Sequence, residues 1–430
     1  MASQYRMKRN LTLFDAVSVG LGVIIGAGIF VVVGTAAGVA GPGVIFSIII
    51  AGIVSLFTAL SFAELCSAIP EEGGAYEYVF KIVSPFLGFM TGWMLILGSI
   101  VAGAAVSLSL ADYLAFLFRS FPANLLAVGA CLLFTLINLV GARQSKIVND
   151  VLVILKVLLL LLFVLLGIPY IQLSNFQPLL PNGLSGLIEG AAIMMFAYLG
   201  YCDVTTISEE VECPQKTLPI STLLSLGISA FLYLLVSFTA VGVINYRVLS
   251  MSGSPLADVM KVTGNDMAVW VVSLGAIFAT ATVLHMLILS VSRIIYSMSR
   301  NHQIPRFINH IHPQFHTPYV SILLTGIPMA IFALFVNLKY VVSLATFLII
   351  LSHLLVNYAA IAINRRTKPS FRIPFYPIPP ILGIITFAAL SVYLLIDVWP
   401  VVIVALLMGI VLYYIDKALL EKTRRERKRR

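Results

Sequence analysis

Charge is what this chain has least of. Its 18 Asp and Glu and 27 Lys and Arg make up 10% of 430 residues, against roughly 25% in a soluble domain. With 60% hydrophobic residues and a mean hydropathy of +1.03, that scarcity excludes a water-soluble globule. Cysteine is scarce too: Cys66, Cys131, Cys202 and Cys213 lie far apart without paired spacing, so neither a disulfide framework nor a zinc site is expected, and no cofactor. No G-x-x-x-x-G-K-[ST] run occurs, which removes a nucleotide-driven pump. No filter or charge ring of a channel is visible. A membrane-embedded enzyme would need nucleophiles or acids clustered at depth, whereas the acidic residues and most of the six His lie at the edges of the apolar runs, so the chain is not expected to be an enzyme.

What is present is a series of apolar runs bounded by charges, Pro or Gly, at 13–38, 43–66, 86–111, 123–141, 148–168, 187–206, 221–244, 268–297, 319–338, 340–363, 376–396 and 399–416. Each is near the ~20 residues that a spanning helix needs, so the expected fold is an all-α integral membrane protein with 12 transmembrane helices. The first run is too long for the apolar core of a signal peptide and no small-residue cleavage pattern follows it, so it counts as a span. If residues 1–12 are cytoplasmic, 22 of the 27 Lys and Arg fall inside and four outside, namely Arg119, Arg247, Lys261 and Lys339. That bias is the positive-inside pattern of an even number of spans with both termini cytoplasmic, in a multi-pass protein of the cell membrane. The basic run 417–430 reads as a topogenic tail facing membrane lipid; it does not point to nucleic acid.

The first span carries Gly22-Val-Ile-Ile-Gly26-Ala-Gly28-Ile-Phe30, three glycines within seven residues at mid-membrane. Each costs a helix interior ~1 kcal/mol against Ala, where no water can satisfy a freed backbone group. An unwound stretch there must line a polar cavity; close packing through small residues is the alternative from this span alone. The sixth span, Met195-Phe-Ala-Tyr-Leu-Gly200-Tyr-Cys-Asp203, is interrupted in the same way. Paired interruptions point to an inverted-repeat transporter with its site at the midplane. The repeats would be 13–168 and 169–364, with 365–416 outside them. N–H groups of the half-helix beginning near Ala27 would attract a carboxylate, and freed carbonyls of both spans an ammonium. That pair of polarities fits a zwitterionic amino acid.

These stretches, with E-E-G-G-A-Y-E-Y (71–78), S-E-E-V-E-C-P-Q-K-T-L-P (208–219) and R-I-I-Y-S-M-S-R-N-H-Q-I-P-R-F (293–307), resemble the amino acid/polyamine/organocation superfamily of transporters. The resemblance implies the LeuT-type 5+5 inverted repeat with broken helices 1 and 6, plus two extra C-terminal helices. It implies that a substrate carboxylate meets the N–H groups of Gly26, Ala27, Gly28 and Ile29, that its amino group meets carbonyls of Ile25, Phe196, Ala197 and Leu199, and that Phe196 is the outer gate. Tyr198, Gly200 and Tyr201 would bound the pocket. Asn301-His302 stands where the superfamily usually has an acidic-Gly pair, a change expected to alter only a cytoplasmic turn.

Lys156 lies ~12 Å along the fifth span, too deep for a helix end. An ammonium there costs several kcal/mol unless paired or neutralised, and no acidic residue stands at matching depth. A snorkelling lysine is the bland alternative. By resemblance to proton-coupled and sodium-independent members, the amine would occupy the place of a sodium ion, against Gly22, Ile25 and Thr282. Proton symport with Lys156 titrating and sodium-independent exchange both fit. His285 reads as hydrogen-bonded structure; Ser99, Gly103 and Ser107 as a packing face; Glu64, Asp203 and Glu209 as interfacial charges or an inner gate with Arg143 or Lys146. With no carboxylate expected in the pocket, the expected substrates are neutral amino acids.

Overall fold

The computed structural model describes residues 11–71, 73–117, 122–140, 146–208, 210–315, 317–335, 338–363 and 369–429, with the side chains of 146–149 and 419–429 left aside. Arg143 and Glu209, the side chain of Lys146 and residues 1–10 therefore lie outside the described residues. Within them the chain forms fifteen α-helices joined by 3-10 and π-helical turns, with no strand and a single isolated bridge between Leu11 and Val211. In order they are α1 Leu13–Ile24, α2 Val33–Ala40, α3 Val44–Ala68, α4 Ala75–Ile82, α5 Pro85–Leu117, α6 Ala123–Val140, α7 Lys146–Gly167, α8 Gly183–Tyr198, α9 Pro214–Val243, α10 Tyr246–Met251, α11 Pro255–Lys261, α12 Asp266–Arg300, α13 Tyr319–Phe335, α14 Leu338–Ala362 and α15 Ile378–Arg429. Nine segments among the described residues are long and apolar enough to cross a membrane, and α13 is a shorter apolar helix. The chain is thus a multi-pass membrane protein. In lipid only structures that satisfy their own backbone survive, which is why runs rich in Leu, Ile, Val and Ala have no option but helix.

The first α-helix starts at a capping box: the N–H and hydroxyl of Thr12 both donate to Asp15 Oδ2 at 2.6 Å, and Asp15 is buried. It ends early, at Ile24. The first span is therefore α1 and α2 in two pieces, separated by an extended Ile25 (φ −78°, ψ 98°) and a π-helical turn over Gly28–Val32. The third span runs to Leu117, six residues beyond the expected end.

Spans 376–396 and 399–416 were expected as two helices, yet α15 is one continuous assignment of 52 residues containing Pro400. Its contacts resolve the difference. Gly383 packs on Asn357, near the end of α14, and Tyr413 lies against Phe86, at the start of α5, with ring centroids 5.1 Å apart. Both places belong to one end of the bundle. Ser67 at the end of α3 bonds Ser370, and Asn301 and Gln303 at the end of α12 bond α4 and Pro85. A straight helix would hold residues 383 and 413 ~45 Å apart. The chain must double back between them, around Pro400, whose ring opposes helical continuation.

One register organises the centre. Leu11 exchanges main-chain bonds with Glu210 and Glu212. A Cβ built on Gly200 would meet Ile24 N at 2.9 Å, and one on Gly28 would meet Ala197 Cα at 2.4 Å. Asn182 Nδ2 donates to Val39 O at 2.7 Å. The bridge between Leu11 and Val211 is parallel, whereas from Ile24 to Val39 the first span runs antiparallel to 182–200, in contact at backbone distance where both helices change geometry.

Candidate functional site

In the first span, regular bonding stops at Ile25, whose N–H reaches Leu21 O at 3.0 Å, and resumes when Ile29 and Phe30 both donate to Gly26 O. Gly26, Ala27 and Gly28 open the second half-helix, where by geometry N–H groups have no intrahelical acceptor. In the partner segment, α8 passes at Tyr198 directly into a nine-residue 3-10 helix, Leu199–Ile207. Its carbonyls are served by short side chains: Thr205 donates to Cys202 O and Thr206 to Asp203 O, each at 2.7 Å. That local supply of donors lets the tighter winding persist inside a bundle.

Between the two breaks and helices α5, α12 and α14 lies a cavity of about 770 Å³, counting the space at its mouth. Gly26, Ala27, Gly28, Phe196, Ala197, Leu199 and Gly200 line it together. Ile25, Ile29 and Tyr198 do not: the two isoleucines are buried elsewhere, and Tyr198 turns its hydroxyl to Ile48 O on α3 at 3.2 Å. Leu95, Ala102, Val283 and Ile349 make the opposite wall apolar. Toward the end of the bundle where α1 begins, the cavity reaches Gly73–Ala75 and Thr205–Thr206. Further along the first span and α5, outside the cavity lining, Phe30 and Tyr113 pack with rings perpendicular at 6.4 Å and the Tyr113 hydroxyl on Phe30 O at 2.8 Å.

Lys156 is 1% exposed. Its Nζ donates to Gly22 O at 2.9 Å and Ile25 O at 3.4 Å, the carbonyls released by the break, and among the described residues no carboxylate pairs with it. Thr282 does not join them. Its hydroxyl bonds Phe278 O and Ala279 O of its own helix, because its position on α12 turns it away from the break. A residue that sequence reasoning missed stands beside the site: the Tyr233 hydroxyl on α9 lies 2.7 Å from Ile24 O and 3.1 Å from Ala197 O, so one O–H serves both breaks. Nothing in the Leu-rich run around Tyr233 signals this, since it depends on how α9 packs.

The inner polar residues differ from expectation. Asp203 lines the cavity and accepts from Ser290 at 2.9 Å, so a carboxylate does face the pocket. The sequence misplaced it because the tight helix beyond Tyr198 was not anticipated. Glu64 receives the N–H of Ile373, and Arg293 pairs with Glu210 at 3.0 Å. Of the small residues on α5, Ser99 faces the cavity, Gly103 packs on Met329, and Ser107 bonds back to Ala104 O. His285 Nδ1 is 3.0 Å from Asn138 Nδ2, a structural bond between α6 and α12.

Asn301 does more than shape a turn. Its amide donates to Tyr76 Oη at 3.1 Å and to Glu77 Oε2 at 3.0 Å; Glu77, 2% exposed, also pairs with Lys81, which pairs with Glu71. These bonds fasten α4 to the end of α12. Gly73 and Gly74, at φ 108° and 52°, form the link that lets α4 fold under the cavity. Asn301→Asp sets a second carboxylate against buried Glu77 and should cost about 1–3 kcal/mol of this docking. A lowered melting temperature of the purified protein, recovered by adding Glu77→Gln, is the expected result.

Residues 11–413 match the amino acid permease family model, which covers nearly the whole chain. The chain belongs to the amino acid permease family. Over 88% of its length it is 35% identical to a methylthioribose transporter of Bacillus subtilis, covering 86% of that protein. It is 31% identical to a branched-chain amino acid permease of the same organism, over 95% of this chain and 93% of the relative. A chloroplastic cationic amino acid transporter of Arabidopsis thaliana is 33% identical over 71% of this permease and 58% of its own length. The family and these relatives are transporters, not enzymes.

Proposed function

We propose that this permease is a secondary active transporter of neutral amino acids that works by alternating access and is driven by protons through Lys156. The observation that carries the reading is the meeting of a buried, carboxylate-free lysine with the carbonyls released at the first break, beside a second broken segment in antiparallel register. In this reading segments 13–68 and 378–418 each cross twice and the shorter α13 crosses once, which brings the count to twelve, arranged as two inverted repeats of five plus two, with both termini cytoplasmic in the cell membrane. The substrate carboxylate sits on the N–H groups at Gly26–Gly28, its ammonium on carbonyls of Phe196 and Leu199 together with the second lone pairs of Ile25 and Ala197. Phe196 gates the outer route. Its apolar wall suits an uncharged side chain, in keeping with the branched-chain permease among its relatives. The Phe30–Tyr113 contact and the cavity reaching Gly73 correspond to an inward-facing state.

Sodium-independent exchange through the same site is the second reading, favoured because, among the described residues, Lys156 bonds only backbone carbonyls and no carboxylate that could receive its proton. Uptake of labelled leucine into liposomes, with and without an imposed proton gradient, separates the two. Accumulation against a leucine gradient only when protons flow inward is the result expected; uptake that depends solely on internal amino acid would replace symport by exchange. No uptake of any amino acid while methylthioribose enters would move the substrate class.

A further inference from the structure

The cavity holds one carboxylate that the site at the helix breaks does not use. Among the described residues lining it, Asp203 is the only acidic side chain, and no Lys, Arg or His shares the wall. Asp203 belongs to the 3-10 helix Leu199–Ile207, three residues beyond Gly200, which touches the first break. At ~2.0 Å per residue that puts it ~6 Å further toward the end of the bundle to which the cavity extends. One of its oxygens accepts from Ser290 at 2.9 Å, which fixes the group's orientation and leaves most of its acceptor capacity unspent. The neighbouring hydroxyls offer it nothing: Thr205 and Thr206 donate to backbone carbonyls. The nearest cation along α12, Arg293, is held by Glu210 and Thr206 O.

Resting on the transporter reading, we propose that Asp203 is a second binding point for the substrate's ammonium, occupied on the way between the helix breaks and the mouth at the α1 end. An ammonium leaving carbonyls at the breaks would otherwise cross this stretch facing only apolar wall and spent hydroxyls. A fixed carboxylate one helical step away receives it, and the same group attracts ammonium entering from that side.

The test is sidedness. Leucine transport is measured in right-side-out cells and in inside-out membrane vesicles carrying wild type, Asp203→Asn, Asp203→Glu and Ser290→Ala. Loss of one charge-assisted hydrogen bond predicts that Asp203→Asn raises KM roughly tenfold for leucine presented from the α1 side, several times more than from the opposite side. Asp203→Glu should restore much of this, and Ser290→Ala should give a smaller shift of the same sidedness. Inhibition by the 2-oxo analogue of leucine, which lacks the ammonium, should change far less than inhibition by leucine. Equal KM shifts from both sides, an unchanged KM, or a changed pH profile without sidedness would overturn the proposal. If Asp203→Asn does not reach the membrane, the Ser290→Ala and Asp203→Glu sidedness decides. Failure of wild type to transport leucine would instead count against the proposed function.

Discussion

Gly28→Ala should reach the membrane as folded protein and fail to transport. The added methyl would stand 2.4 Å from Ala197 Cα and 2.5 Å from its Cβ, atoms that belong to the facing broken segment and cannot rotate away. The two segments must separate, at an overpacking cost of about 1–3 kcal/mol, at the place proposed to receive both the substrate carboxylate and its ammonium. Uptake should fall at least roughly tenfold. Gly26 makes a useful contrast, because a methyl there meets Val283 Cγ2 at 2.6 Å, the end of a side chain that can change rotamer. Gly26→Ala should therefore retain part of its activity, whereas Gly26→Val, with no room for its branches, should not. Adding Ala197→Gly should not rescue Gly28→Ala, since the nearer clash is with Cα. Wild-type uptake by Gly28→Ala, normalised to monodisperse protein, would place the substrate elsewhere.

The second large effect concerns coupling. Lys156 ties α7 to two carbonyls at the end of α1, and under the proposed coupling loss of its proton loosens that tie and biases the arrangement of the first break. Lys156→Met keeps the volume and removes the switch, with less risk to folding than Lys156→Ala. The variant should still bind leucine, because the inferred substrate contacts are other backbone groups, but it should lose proton-driven accumulation and the pH dependence of uptake. Counterflow should survive in part. Comparing gradient-driven uptake with counterflow in liposomes checks this; undiminished accumulation would reduce Lys156 to a structural residue.

How much of this was legible in the sequence follows from which signals are local. The Gly22-Gly26-Gly28 cluster announces a weak helix without any partner in view, and the observed end of α1 lies within it. The depth of Lys156 is likewise a matter of counting along one helix. Tyr233 and Asn301 were not legible because their meaning lies in contacts with residues far away in the chain, 209 and 36 positions for Tyr233 and 225 and 224 for Asn301, set by packing alone. Asp203 was misplaced for a subtler reason. A position on a helix fixes its side chain's direction only if the winding is known, and the turn from α to 3-10 at Tyr198 changes both rise and direction for the residues up to Ile207. Thr282, on α12, was expected by resemblance alone, and its hydroxyl is spent on its own helix. The runs 376–396 and 399–416 were read as two spans, whereas one helix assignment, Ile378–Arg429, covers both, and only its contacts bring residues 383 and 413 to the same end of the bundle.

The matched register of 24–39 against 182–200 has a consequence for how such a chain can change. Ile24 faces Gly200, Gly28 faces Ala197, and Val39 faces Asn182, so residue numbers across the pair add to nearly the same total. Deleting one residue from either segment would shift all pairings on one side of the deletion and turn them by roughly 100°. Segment length cannot drift in one half without an equal, simultaneous change in the other. Insertions should instead be absorbed by the connection between α7 and α8, which lies outside the paired stretch, so length variation there and constancy within 24–39 and 182–200 is the pattern to look for in a library of random single-codon insertions selected for uptake.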